Sequence, residues 1–238
     1  MLGGGPHSNI TGAPYSAVEV VQSQEVLSDG NRIVNKRQTN VFRDTVGRVR
    51  TEETITPSAA SGKAPHTLVS ILDPVAGYRH VLDSSTMVAH RSPAPRMHSG
   101  ALSATAHTRP APAARTNGPQ AVTTNLGTQM VNGVLATGTQ TAETIPAGAI
   151  GNAQAIQIVR TVWISNDLKV PVQIKTSDPR FGSTQMDLTN IAQSEPNSTL
   201  FVVPAGYTVE AEGGRGNRGG PNSGFRSGPG TRGPQQSQ

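Results

Sequence analysis

Asn35-Lys36-Arg37-Gln38-Thr39-Asn40-Val41-Phe42-Arg43 and Arg48-Val49-Arg50-Thr51-Glu52-Glu53-Thr54-Ile55 flank the four residues Asp44-Thr45-Val46-Gly47. Both runs favour extended backbone. The four between them suit a type I turn with Gly47 left-handed, which makes the whole stretch a β-hairpin. If Asp44 faces Arg48, the register puts Phe42 opposite Arg50, Val41 opposite Thr51 and Arg37 opposite Ile55. One face then carries Val41, Val49 and Ile55. The other carries Lys36, Gln38, Asn40, Arg50 and Glu52, with Phe42 covered by Arg50, so one side of the ribbon is expected to be wet.

The same grammar repeats along the chain. Ala17–Leu27 is rich in β-branched residues and ends at Ser28-Asp29-Gly30-Asn31, a strand followed by a turn. Asp73-Pro74-Val75-Ala76-Gly77 and Asp178-Pro179-Arg180-Phe181-Gly182 share the pattern Asp-Pro-x-x-Gly. Asp caps the first turn amide, Pro presets φ, and Gly supplies the positive φ that reverses the chain. Strands are expected at His66–Leu72 and Tyr78–Leu82 around the first, and at Val170–Lys175 and Ser183–Leu188 around the second. Asn132-Gly133 and Asn166-Asp167, the latter after Ile156–Ile164, mark two more reversals. About ten strands follow, with no amphipathic helix. The fold class is mainly β: a curved antiparallel sheet, a half-barrel-like meander.

Composition sets the outer limits. The 238 residues include Gly 26, Pro 18 and no Cys, with aromatics at 3%. Disulfides, thiolate nucleophiles and Cys-based zinc sites are excluded, and no run approaches the ~20 apolar residues of a membrane helix. The formal charge of +5 is lopsided: residues 213–238 hold four Arg and no acid, and residues 84–142 hold four more and no acid. The remainder is mildly acidic, so the basic balance describes the Pro/Ala and Gly/Arg stretches rather than a binding face. Three divisions follow: a flexible N-terminal arm at 1–14, one antiparallel domain at 15–209, and a disordered Gly/Arg-rich tail at 210–238. A Pro/Ala-rich segment at about 92–125 interrupts the domain, and its shortage of large apolar residues predicts a long mobile loop.

Further motifs run along the chain: Leu27-Ser28-Asp29-Gly30-Asn31-Arg32-Ile33, Phe42-Arg43-Asp44-Thr45-Val46-Gly47-Arg48, Asp73-Pro74-Val75-Ala76-Gly77 with Val81-Leu82-Asp83, and Thr144-Ile145-Pro146-Ala147-Gly148-Ala149-Ile150-Gly151-Asn152. Val162-Trp163-Ile164-Ser165, Leu168-Lys169-Val170-Pro171-Val172, Ser177-Asp178-Pro179-Arg180, Leu188-Thr189-Asn190-Ile191, Glu195-Pro196 and Leu200-Phe201-Val202-Val203-Pro204-Ala205-Gly206-Tyr207 follow. Together they resemble a family of uncharacterised bacterial envelope proteins. More loosely, the closing order of strand, Trp, turn and Pro-bearing strand resembles the lipoprotein-carrier fold, a group that includes sensor domains of anti-sigma regulators. That resemblance implies an incomplete barrel able to hold an acyl chain on its concave side, and a periplasmic or secreted location. Met1–His7 has neither a basic n-region nor an apolar h-region, which keeps a cytoplasmic location as the alternative.

No catalytic residue, metal site or cofactor is expected. There is no G-x-S-x-G, no H-E-x-x-H and no phosphate loop, and Glu52-Glu53 point to opposite faces of a strand, where they are expected to partner Arg and Lys on neighbouring strands. His66 and His80 could face each other across the Asp73–Gly77 hairpin as a solvated pair. Trp163, the single Trp, either anchors the core or floors a ligand groove, the anchor being favoured. Phe201 and Tyr207 are expected to close the sheet against it. Arg215, Arg218, Arg226 and Arg232 form a candidate polyanion-binding tail. The primary reading is a non-enzymatic envelope protein whose sheet binds or senses a lipid-like or protein ligand: a lipid, a lipoprotein or another envelope protein. The alternatives are a structural or surface-associated protein with no small ligand, and RNA binding through the tail, the minor reading.

Overall fold

The computed structural model describes residues 10–94 and 120–211. The first run contains β1 (Tyr15–Val26), β2 (Arg32–Arg43), β3 (Val49–Ile55), β4 (His66–Asp73), β5 (Tyr78–Asp83) and β6 (Val88–Pro93). The second contains β7 (Gln120–Val131), β8 (Val134–Ile145), β9 (Ile156–Ser165), β10 (Pro171–Asp178), β11 (Gly182–Ala192) and β12 (Thr208–Ala211). All twelve strands lie in one sheet of order β12-β6-β5-β4-β3-β2-β1-β11-β10-β9-β8-β7. Two meanders, β1–β6 and β7–β11, are thus joined where β1 pairs β11. The sheet is open, with β12 and β7 as its edges. Helix among the described residues is confined to short 3-10 turns at Ala59–Ser61 and Ser198–Phe201.

The hairpin register stands where it was expected: Phe42 faces Arg50 and Val41 faces Thr51. Gly47 has φ +86° and donates to the Asp44 carbonyl at 3.1 Å. A side chain there would also press on the Ile10 carbonyl, 3.2 Å from an added Cβ, so the turn needs glycine on both counts. The Asp-Pro-x-x-Gly turns behave as read. Asp73 accepts from the amides of Val75 and Ala76 at 2.9 and 2.8 Å, and Asp178 from the amide of Arg180 at 2.9 Å.

Several expectations need correction. The ten strands expected omit β6 and β12, and these two form the one parallel pair of an otherwise antiparallel sheet, Val88 facing Thr208. β6 extends to Pro93 and β7 begins at Gln120, so both ends of the supposed 92–125 loop are strand. Thr and Val in β7 find cross-strand partners on β8, as in the hydroxyl contacts Thr123–Thr141 and Thr128–Thr137 at 3.3 and 3.2 Å. His66 faces Ile55 and His80 faces Ile71, so the two histidines are not cross-strand partners. Arg37 does not reach Ile55, because the β2–β3 ladder stops at Thr39 opposite Glu53.

The core has two parts. The first gathers Tyr15, Ala17, Val41, Val131, Val134, Ala136, Trp163, Leu168, Val170, Val172 and Leu188. Bulges at the β1–β11, β9–β10 and β7–β8 pairings increase local twist and re-aim side chains along this stretch. Trp163 lies flat over Gly138, where an added Cβ would sit 2.6 Å from the indole, so only glycine admits the ring. The second part gathers Val69, Ile71, Leu82, Ala89 and Phe201, with Phe42, Leu200, Val203 and Tyr207 packed against it.

A buried arginine ties the first part to the hairpin. Arg43 donates through Nε and Nη2 to the Ala13 carbonyl at 3.0 and 2.7 Å, and through Nη2 to the Leu168 carbonyl at 2.6 Å. Its guanidinium lies 4.8 Å from the Tyr15 ring centre. Burial pushes the Tyr15 phenol upward and lowers the Arg43 pKa, each charge partly offsetting the other's shift. Next in sequence, the buried Asp44 carboxylate accepts from the Arg48 amide at 2.7 Å and Nε at 2.6 Å. The Arg43-Asp44-x-x-Gly47-Arg48 motif is therefore a joint between chain segments far apart in sequence.

Candidate functional site

The aromatic residues singled out from sequence fall in different places. Trp163 belongs to the first core cluster, at 7% exposure, and Phe201 to the second, at 5%. Tyr207 packs against that second cluster, so the structure places it with Phe201 and leaves Trp163 apart. Phe201 instead meets the hairpin: the Arg48 guanidinium lies 5.0 Å from its ring centre, and Arg50 Nη1 donates to the Leu200 carbonyl at 2.8 Å. Glu195 completes the strap by accepting from the Thr45 amide at 3.1 Å and from the Thr45 hydroxyl. The face expected to be wet is thus covered at its turn end, where Arg50 is only 8% exposed. Arg215, Arg218, Arg226 and Arg232 lie outside the described residues.

The feature the hairpin reading missed lies at its other end. β2 continues to pair with β1 down to Arg32, opposite Val26, and β3 continues to pair with β4 up to Ile55, opposite His66. The two strands part beyond Thr39 and Glu53. Between them opens a recess of about 680 Å³ lined by Lys36, Arg37, Gln38, Asn40, Glu52 and Glu53, with Thr54, Ile55 and Thr56 at its end. The volume lies within the range of small-ligand pockets, and apart from Ile55 the walls are polar or charged.

Backbone geometry makes this opening more than a gap. Asp44 donates to the Arg48 carbonyl at 3.1 Å, so even-numbered residues of β2 aim N–H and C=O toward β3 and odd-numbered ones toward β1. The β1–β2 ladder has no register shift, and the rule carries down the strand. Val34 and Lys36 therefore direct their backbone groups into the opening, where the β2–β3 ladder supplies no partner. Residues Arg32–Gln38 are all exposed. The arrangement is a length of sheet edge inside a sheet, the kind of template on which an extended chain adds as a strand.

The charges at the opening are unevenly committed. Arg37 Nε lies 3.6 Å from Glu53, and Glu52 is held by Arg50 Nε at 2.7 Å and by Asn40 at 3.5 Å. Lys36 and Arg32 have no carboxylate partner among the described residues. Glu53 thus pairs with an arginine on the neighbouring strand as expected, whereas Glu52 takes its arginine from two residues earlier on its own strand. The signal for the opening was present in sequence: past Thr39 the facing positions offer Gln38, Lys36, Thr54 and Thr56, with Pro57 close behind, and none of these rewards zipping with apolar burial.

No family model matches the chain, and no curated protein matches its sequence. Solved structures to which it is similar include an uncharacterized conserved protein from Thermus thermophilus, at 11% identity and TM-score 0.41, covering 84% of this chain and 91% of that one. Another is the MucA/MucB complex of Pseudomonas aeruginosa, at 11% identity and TM-score 0.41, covering 83% of this chain and 58% of that one. A third is a LolA superfamily protein from Nitrosomonas europaea, at 9% identity and TM-score 0.34, covering 83% and 93%. No helix among the described residues is long and apolar enough to cross a membrane, and they hold no cluster of three or more His, Asp or Glu suited to a metal.

Proposed function

We propose that this is a non-enzymatic binding protein of the bacterial envelope, and that its ligand is an extended polypeptide segment held in the opening between β2 and β3. One observation carries the reading: Lys36 lines a recess of about 680 Å³, and its backbone groups, like those of Val34 further along the same strand, aim to the side where the β2–β3 ladder supplies no partner. A strand entering there gains main-chain hydrogen bonds, with side-chain selection by alternate positions of the walls. The choice of polypeptide over acyl chain rests on two supports. The recess is walled by Lys36, Arg37, Gln38, Asn40, Glu52 and Glu53, and Trp163, Phe201 and Tyr207 are already committed to the two cores.

The test uses the full chain made in its own host. Cell fractionation is combined with mass spectrometry of what co-purifies and with hydrogen exchange on the recovered complex. The expected result is recovery with the envelope, a bound polypeptide, and slowed exchange at the Val34 and Lys36 amides relative to the stripped protein. A co-purifying acyl lipid that slows exchange around Trp163 instead, or recovery in the cytoplasmic fraction, overturns the reading.

A further inference from the structure

We infer that the segment received between β2 and β3 is acidic, selected by Lys36 and Arg32; this rests on the strand-addition reading above. The two cations stand four residues apart on β2 and so share one face of the strand, with Val34 between them. The carboxylates at the opening cannot neutralise them, because Glu52 is bound to Arg50 and Asn40 and Glu53 to Arg37. An incoming strand paired to the β2 edge places alternate side chains on that same face, across from Lys36 and Arg32. Opposite charges directly across a pair of strands stabilise it, and like charges destabilise it.

Charge also argues against the protein's own undescribed segments as occupants. Residues 95–119 contain Arg96, Arg109 and Arg115 and no acid; residues 212–238 contain Arg215, Arg218, Arg226 and Arg232 against a single acid, Glu212. Both would bring cations to cations, and residues 1–9 hold no acid. The exposed length Arg32–Gln38 spans seven residues, about 23 Å at strand rise. It therefore accommodates two or three acidic side chains at every second position of a partner from another molecule.

The experiment pans the full-length protein against a random twelve-residue peptide library displayed on phage. Enriched peptides are then synthesised and measured by fluorescence anisotropy at two salt concentrations. Enriched sequences are expected to carry Asp or Glu at alternating positions and to slow exchange at the Val34 and Lys36 amides at least tenfold. Raising salt should weaken them. Lys36→Glu should weaken binding tenfold or more, while Lys36→Arg retains it; an unchanged thermal transition for both variants separates lost recognition from lost folding. Peptides without acidic bias that still protect Val34 and Lys36, or binding indifferent to Lys36→Glu, overturn the acidic selection and leave strand addition standing. Peptides that protect only other amides, or no binder at the opening, overturn both.

Discussion

The two halves of β2 are one strand with two fates. From Asn40 to Arg43 it is clamped on both sides by β1 and β3; Val41 is buried in the first core, Phe42 packs against the second, and Arg43 reaches across to Leu168. From Arg32 to Gln38 it keeps β1 and loses β3, and each residue is exposed, including Ile33 at 43% and Val34 at 54%. β-propensity is similar in both halves. What differs is whether the facing positions bury anything, and strand pairing follows burial rather than backbone preference. The lesson is that a long extended run in sequence need not be paired over its whole length, and that the unpaired part is where a partner can enter.

Four measurements would break or sharpen that comparison. The largest effect is expected from Phe201→Ala, which empties the second core cluster against which Phe42 packs and removes the ring under Arg48 at the turn end of the hairpin. A loss of about 3 kcal/mol in denaturant-induced unfolding is expected, the low side for emptying a buried Phe site. Next, Val41→Ala should cost about 2 kcal/mol through lost burial and the cavity left behind, whereas Val34→Ala should stay within about 0.5 kcal/mol as an exposed change. Equal costs for the two valines would erase the distinction between the halves. Third, native-state hydrogen exchange on the free protein should be fast at Val34 and Lys36 and slow at Phe42, which shares their inward parity but has Arg50 opposite. Comparable protection at all three would mean that the opening is closed in solution.

The smallest effect concerns His80, on β5 beside the second core. Its pKa is held below the ordinary histidine value by burial first and the nearby Arg91 second, with Asp73 pulling the other way. A depressed folded pKa means that the unfolded chain takes up the proton first. The histidine's contribution is thus fully present above its ordinary value near 6.5 and is lost as pH falls through the folded value. Unfolding measured from pH 7.5 to 5 should show this loss, and His80→Gln should flatten it. A slope that His80→Gln leaves unchanged would assign the effect to other groups.

Much of the sheet was legible in the chain because its signals are local. Asp44 to Gly47, Asp73 to Gly77 and Asp178 to Gly182 each set a reversal within five residues, and the register around Gly47 followed from that turn alone. β12 was missed because it does not hold itself in place: Thr208–Ala211 is a four-residue exposed strand that exists only against Val88–Arg91. β6 was missed because the turn Ser84–Met87 that pairs it to β5 contains no Gly, Pro or Asn to mark it. The placement of Phe201 and Tyr207 on a cluster separate from Trp163 was equally unreadable, since it depends on where the strap from Glu195 to Tyr207 lands on the sheet.

Local backbone chemistry, in residues such as Asp44, Gly47 and Asn132, determined that the protein would be a succession of hairpins, because turn geometry is decided by neighbours a few bonds apart. Tertiary structure alone decided that Arg43 would be buried against Ala13 and Leu168, and that Phe201 would settle on a core cluster apart from Trp163. Those outcomes depend on surfaces contributed by segments from 30 to more than a hundred residues apart, and their energies exist only once the segments have met.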